Sequence, residues 1–146
     1  MNLFEVVGFE VATKMTGVDD TQTTATVTLR VGDAVHTAAA TGHGPMNALD
    51  LCLRQCLSNV YPKIANVRLT DYKVRVLNSK KGTAAKVRVL VEWTDHRRSW
   101  TTVGVSDNII EASWRALLDA IRLELMRLTE QDESVEKAVE DYCWGV

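Results

Sequence analysis

TGHGPMNALD, residues 41 to 50, holds the first residue types in the chain that could bind a ligand. Gly42 and Gly44 flank His43, and Pro45 opens a run of apolar residues at helical spacing. Glycine permits unusual φ and lets the backbone come close to a ligand. Amides that converge just ahead of a helix, at the positive end of its dipole, favour a carboxylate or a phosphate. The same residues equally suit a turn that does no more than start a helix, with Pro45 at its first position. The corresponding turn later in the chain is VGVSDNIIEAS, residues 103 to 113. There Ser106 or Asp107 is placed to cap a helix by accepting from its first N–H groups, and a ligand contact by Asp107 is the other reading.

Catalytic chemistry finds less support. The chain carries no nucleophile elbow, P-loop, dinucleotide fingerprint or H-E-x-x-H motif. The acids Asp50, Asp71, Glu92, Asp107 and Glu111 are scattered, and no two of them make a defensible acid–base pair. Cys52 and Cys56 fall one helical turn apart, a spacing for two buried thiols on one face and not for an exposed nucleophile. Three cysteines do not suggest a disulfide framework, and His36, His43 and His96 supply no zinc spacing. We therefore expect no catalytic residue, no metal and no cofactor. A net charge of −2 does not suggest a nucleic-acid surface, and Lys80, Lys81 and Lys86 read as a solvated hairpin. No secretory signal and no membrane-spanning stretch is legible, so a cytoplasmic chain is expected.

The elements that would position these residues come in two rounds. Residues 23–31 alternate as a strand, Gly32-Asp33 turns, and 34–40 return. A helix follows from Pro45, with Ala48, Cys52 and Cys56 in one row, Leu49, Leu53 and Leu57 in another, and Pro62 as its stop. Then 71–78 and 84–93 read as strands joined by a turn at 79–82. Residues 100–105 form a third strand, and a helix runs from about 108 to 128.

Ala48 and Ala112 stand 64 positions apart, and Met46/Ile110, Leu53/Leu117 and Leu57/Ile121 keep that offset. Phe9–Thr13 matches Tyr72–Val76 at 63. The chain therefore reads as an α+β domain over 1–129. It is a tandem pair of β-β-β-α units, about 4–62 and 67–128, with antiparallel sheets and helices packed on one face. Residues 130–146 read as an acidic tail, possible as a short docked helix whose end, Tyr142-Cys143-Trp144, caps the domain or meets a partner.

G-x-G-P-x-N-A-L-D, V-R-L-x-D-Y-K-V-R-V-L, G-T-A-A-K-V-R-V and T-V-G-V-S-x-N-I-I-E-A-S-W, in this order over residues 4–128, resemble one family. It is the C-terminal regulatory domain of the isopropylmalate and citramalate synthases, with D-Y-K-V-R-V-L and N-I-I-E-A-S-W closer to the citramalate versions. The resemblance implies a homodimer that binds isoleucine or leucine as effector. It also implies a parent enzyme whose catalytic TIM barrel, absent from this chain, condenses acetyl-CoA with a 2-oxo acid. Carried over, the effector site falls on Gly42, His43, Gly44, Pro45 and Met46 for the carboxylate, with His43 standing where asparagine is most common. Leu69, Asp71, Tyr72 and Val76, with Ala84 on the facing strand, would form the side-chain pocket, and Asp107 to Ile109 the approach to the second helix. The competing expectation is a dimerisation module that has lost its effector.

Overall fold

A computed structural model describes residues 3–17 and 21–144, with side chains up to residue 130. The first unit is β1 (Glu5–Met15), β2 (Thr21–Val31), β3 (Ala34–Gly42) and α1 (Pro45–Leu57). The second is β4 (Arg68–Val76), β5 (Val87–Thr94), β6 (Ser99–Ser106) and α2 (Ile109–Trp144). Each sheet is antiparallel and ordered as in the chain, β1-β2-β3 and β4-β5-β6. This is the α+β arrangement of two β-β-β-α units read from the sequence.

Alternation decides which face each strand buries. On β2, Thr23, Ala25, Val27 and Leu29 point inward and are buried; on β5, Val89, Val91 and Trp93 do the same. α1 lies on β2 and β3 through Ala48, Leu49, Cys52, Leu53, Cys56 and Leu57, and α2 lies on β5 and β6. The predicted cysteine row is thus in the core, where the Cys52 thiol donates to the Ala25 carbonyl at 3.2 Å. Burial pushes the Cys52 and Cys56 thiols up from their ordinary value, which makes them poor nucleophiles.

The duplication extends to irregular features. β1 breaks register between Val6 and Gly8, and β4 does so between Leu69 and Asp71, 63 positions on. Directly paired residues share a face, so Phe9, opposite Val27, and Tyr72, opposite Val91, both look toward the helices. The units then exchange contacts. The Phe9 ring meets Trp114 of α2 with centroids 4.8 Å apart, while Leu69 and Tyr72 of β4 border the start of α1.

The connection between units is braced by Arg54. Arg54 donates from Nε to both Asp50 carboxylate oxygens at 3.0 Å, from Nη1 to the Ile64 carbonyl at 3.1 Å, and from Nη2 to the Val67 carbonyl. These bonds hold the 3₁₀ turn Pro62–Asn66 against α1 and set where β4 begins.

Three sequence expectations change. Pro62 does not stop α1, which ends at Leu57, and the proline opens the 3₁₀ turn instead. The residue before a proline avoids helical geometry, so the chain leaves the helix early, and Tyr61 sits at ψ 74°. The second strand of the second unit begins at Val87 rather than at residue 84. Gly82, at φ 60°, keeps the chain turning through Ser79–Ala84, so Ala84 is an exposed turn residue and not part of the facing strand. The acidic stretch continues the backbone of α2 to Trp144, as a segment with neither glycine nor proline from Ile109 to Trp144 can. The reading of Tyr142–Trp144 as a cap or contact lies outside the described side chains.

Candidate functional site

The two glycines of the opening turn serve different ends. A Cβ on Gly42 would stand 2.6 Å from Asn47 Oδ1 and 2.7 Å from the Ala48 nitrogen, so glycine lets the start of α1 press onto β3. Gly44, the N-cap, takes φ 150° and ψ 175°, backbone that an L side chain rarely adopts. His43 is exposed between them, and its N–H donates to Asn47 Oδ1 at 2.9 Å. Pro45 has no N–H to offer. The first bond inside the helix runs from the Ala48 N–H to the Gly44 carbonyl. The Met46 and Asn47 amides precede it and, as in any first turn, have no helical acceptor. No side chain caps this end among the described residues. Of the turn expected to face a carboxylate, Gly42 to Met46, the His43 amide is bonded to Asn47 and Pro45 has none, while the Met46 amide and its neighbour at Asn47 lie in the first turn of α1.

Beside this turn lies a cavity of about 310 Å³ lined by Met46, Asn47 and Asp50 of α1, Leu69 and Tyr72 of β4, Trp93 of β5 and Leu117 of α2. Its volume lies at the lower end of the range for small-ligand pockets. The walls are mainly apolar, and the polar groups sit on the α1 rim. Burial pushes the Asp50 carboxyl up from its ordinary value, and the Arg54 charge and hydrogen bonds pull partly against that. Two aromatic walls are tied to α2. The Tyr72 hydroxyl and Ser113 Oγ share a hydrogen bond at 2.8 Å. The Trp93 indole N–H donates to Thr102 Oγ1 at 2.9 Å, and that hydroxyl donates to the Ala116 carbonyl at 2.8 Å.

Of the residues expected at the site, Met46, Leu69 and Tyr72 meet in this cavity, and Gly42 to Pro45 form the turn beside it. The others are placed elsewhere. Asp71 spends Oδ1 on its neighbour's amide, Tyr72 N–H at 2.9 Å, and Oδ2 on Lys73 at 3.4 Å. Val76 is exposed near the far end of β4, opposite Val87, and Ala84 is in the exposed turn. Asp107 and Ile109 are both exposed, and neither lines the cavity. Asp107 and Ser106 also do not cap α2. Asn108 does, its Oδ1 accepting from the Ile110 and Glu111 amides at 2.9 and 3.2 Å, while Ser106 Oγ accepts from the Asn108 amide. Residue types alone missed Asn47, Asp50, Trp93 and Leu117. Asp50 carried a signal: it follows Asn47 by three positions, a polar pair on one side of the otherwise apolar stretch from Pro45 to Leu53.

A second charged cluster closes the β5–β6 turn against α2. Asp95 Oδ1 accepts from the Arg97 and Arg98 amides at 3.0 Å, and Oδ2 from Arg127 Nη2 at 2.6 Å. Arg127 also bonds Glu124, and both carboxylates are almost fully buried. Burial alone would raise the Asp95 carboxyl, but the two amides and Arg127 outweigh it and hold it below the ordinary value.

A repeated β-β-β-α domain, with a cavity where the first strand of one unit meets the helix start of the other, is the class these features define. The model of the LeuA allosteric (dimerisation) domain matches residues 2–125, and the chain belongs to that family. It is 50% identical over 116 residues to an (R)-citramalate synthase of Aquifex aeolicus, covering 77% of this chain and 22% of that protein. To the (R)-citramalate synthase of Geobacter sulfurreducens it is 44% identical over 132 residues, 90% of this chain and 25% of that protein. A 2-isopropylmalate synthase of Shewanella amazonensis is more distant, 30% identical over 100 residues, 68% and 18% of the two chains. The chain thus spans about a quarter or less of the relatives it matches. Among the described residues, no helix is long and apolar enough to cross a membrane.

Proposed function

We propose that this domain senses a branched-chain amino acid, isoleucine ahead of leucine, and exerts feedback inhibition on a citramalate synthase as part of a cytoplasmic homodimer. The greater identity to (R)-citramalate synthases than to a 2-isopropylmalate synthase supports that parent, and with it the isoleucine pathway. The reaction, condensation of acetyl-CoA with pyruvate, belongs to the parent enzyme.

The cavity between β4 and the start of α1 is the observation that carries the reading. A free aliphatic amino acid needs an acceptor for its ammonium, donors for its carboxylate and an apolar slot. Asp50 on the rim supplies the first in place of Asp71 or Asp107. The Met46 and Asn47 amides supply the second at the positive end of α1. Met46, Leu69, Tyr72, Trp93 and Leu117 supply the third. The remaining members of the proposed site, Val76, Ala84, Asp107 and Ile109, lie outside this cavity in one chain, and their participation requires the second subunit. Regulation then follows if the ligand prefers one arrangement of the two subunits.

Calorimetric titration with isoleucine, leucine and valine tests this. Saturable binding of isoleucine, weakened by Asp50→Asn, is the expected result. The loss corresponds to about 1.5–3 kcal/mol for a hydrogen bond to a charged group. A folded dimer that binds none of the three is a dimerisation module without an effector, and the sensor reading then fails.

A further inference from the structure

We propose that Thr102 and Ser113 are positioning residues that fasten the aromatic walls of the β4–α1 cavity to α2, so that filling the cavity changes how α2 is held on its sheet. The inference rests on the effector reading above and names the route by which that site acts.

The indole N–H of Trp93 only donates, so the Thr102 hydroxyl must accept from it and spend its single hydrogen on the Ala116 carbonyl. Both roles of that buried hydroxyl are fixed. Tyr72 reaches α2 by a separate bond, to Ser113, which is itself buried. Ser113, Ala116 and Leu117 lie at i, i+3 and i+4, one face of one helical turn, and Leu117 is itself a wall of the cavity. Three walls therefore belong to, or are bonded to, a single turn of α2. Two residues beyond Trp93, Asp95 is held again to α2 by Arg127.

Among the described residues, the first unit has no such linkage of hydroxyl and indole. Subtracting 64 from Trp93, Thr102, Ser113 and Ala116 gives Leu29, Ala38, Leu49 and Cys52, and the counterpart of Tyr72 is Phe9. No hydroxyl or indole stands at any of these positions; Leu29 and Leu49 are buried and apolar, and Cys52 bonds its own sheet directly, from its thiol to the Ala25 carbonyl at 3.2 Å. The fastening through hydroxyls and an indole occurs in the unit that supplies the aromatic walls of the cavity. Helices at such interfaces respond by small shifts between discrete arrangements, and a ligand biases them only through different affinity for each.

The test is amide hydrogen exchange of this chain with and without saturating isoleucine or leucine, alongside calorimetric affinity. Four chains are compared: the parent, Thr102→Val, Thr102→Ser and Ser113→Ala. In the parent and in Thr102→Ser, the ligand should slow exchange across residues 113–121 by about fivefold or more, the low end of usual coupling between sites. Thr102→Val and Ser113→Ala should still bind but lose that response. Binding by the parent with unchanged α2 exchange overturns the inference and leaves the sensor standing, as does a full response in both hydroxyl-free variants. No binding by the parent overturns the sensor and this coupling together. If Thr102→Val does not fold, Ser113→Ala and Tyr72→Phe decide the matter, since each removes a hydroxyl near the surface end of the linkage.

Discussion

Where β1 meets α2, Phe9 and Trp114 pack ring on ring; where β4 meets α1, the matching positions are Tyr72 and Asp50. The first cleft encloses about 420 Å³ above that aromatic pair, and its polar rim is committed to its own neighbours. Asn108 caps α2, and Arg115 donates to Glu111 at 2.5 Å and to the Val105 carbonyl at 3.1 Å. The second cleft has Asp50 where the first has Trp114, keeps apolar walls, and adjoins a helix start that no side chain caps. Duplication preserved the strands, the bulges and the helix rows, while the two helix starts diverged. One is closed by its own residues, and the other keeps donors beside an apolar slot.

Trp114→Ala gives the largest effect expected from this contrast. Trp114 is 5% exposed and bridges the units, so its truncation should cost about 3–5 kcal/mol in urea unfolding at fixed protein concentration. Tyr72→Ala, at a residue 38% exposed, should cost no more than about 1–2 kcal/mol. Equal costs at the two positions would mean that both clefts are structural and would erase the distinction between them.

Helix–sheet spacing differs too. A Cβ on Gly104 would sit 1.9 Å from the Ala112 carbonyl oxygen, whereas its counterpart in the first unit, 64 positions earlier, is Ala40. α2 thus lies closer to β6 than α1 does to β3 at that level. Gly104→Ala should destabilise by about 3 kcal/mol, the upper part of the overpacking range. Gly42→Ala, whose Cβ would meet the Ala48 backbone nitrogen at 2.7 Å, is a shallower overlap than that at Gly104 and should cost about 2 kcal/mol. A larger loss at Gly42 than at Gly104 would contradict the spacing seen here.

Charge follows the same asymmetry. Asp95 and Glu124 are buried against Arg127, while the first unit has Val31 and Val60 at those positions. The folded-state value of Asp95 is depressed, so its contribution to stability is present above the unfolded value of about 3.9. That contribution is lost as pH falls through the lower folded value. Arg127→Met leaves the two carboxylates to Arg98, 4.0 Å from Asp95 and 3.7 Å from Glu124, and should cost about 3 kcal/mol near neutrality. The variant should also lose less stability than the parent between pH 5 and pH 2, about the span over which such a group titrates. Parallel stability–pH curves for the two chains would show that Asp95 is not held down by Arg127.

Strand alternation and the helix rows were enough to read both units, because each row faces a sheet made by its own unit. The cavity was only partly legible, because its lining comes from both units. The period of α1 marks which residues its own sheet buries, but says nothing about β4 arriving at its first turn, so Asp50 read as a scattered acid. Trp93 read as one inward residue among several, since its hydroxyl partner comes from the next strand. Ala84 was misplaced because the left-handed Gly82 prolongs the turn, and residue types on either side of it suit a strand. The family resemblance supplied Leu69 and Tyr72, which no period could have singled out, whereas the glycine turn was legible in its own residue types.

The cap of α2 shows how narrow such a decision is. Ser106, Asp107 and Asn108 are all cap-competent, and β6 extends through Ser106, which leaves Asn108 as the residue ahead of Ile109. Removing its oxygen with Asn108→Ala should cost about 1 kcal/mol, whereas Asn108→Gly should cost only a few tenths. The glycine variant is the sharper comparison, because it gives α2 the N-cap residue that α1 already has in Gly44. Thermal unfolding checks the stability, and calorimetry checks whether a second amino-acid site appears. An uncapped start without a new site is the expected outcome, since Trp114 still fills the place that Asp50 occupies in the other unit. If a second equivalent of ligand did bind, first-turn amides alone would be the determinant, and the acid and the apolar slot would be secondary.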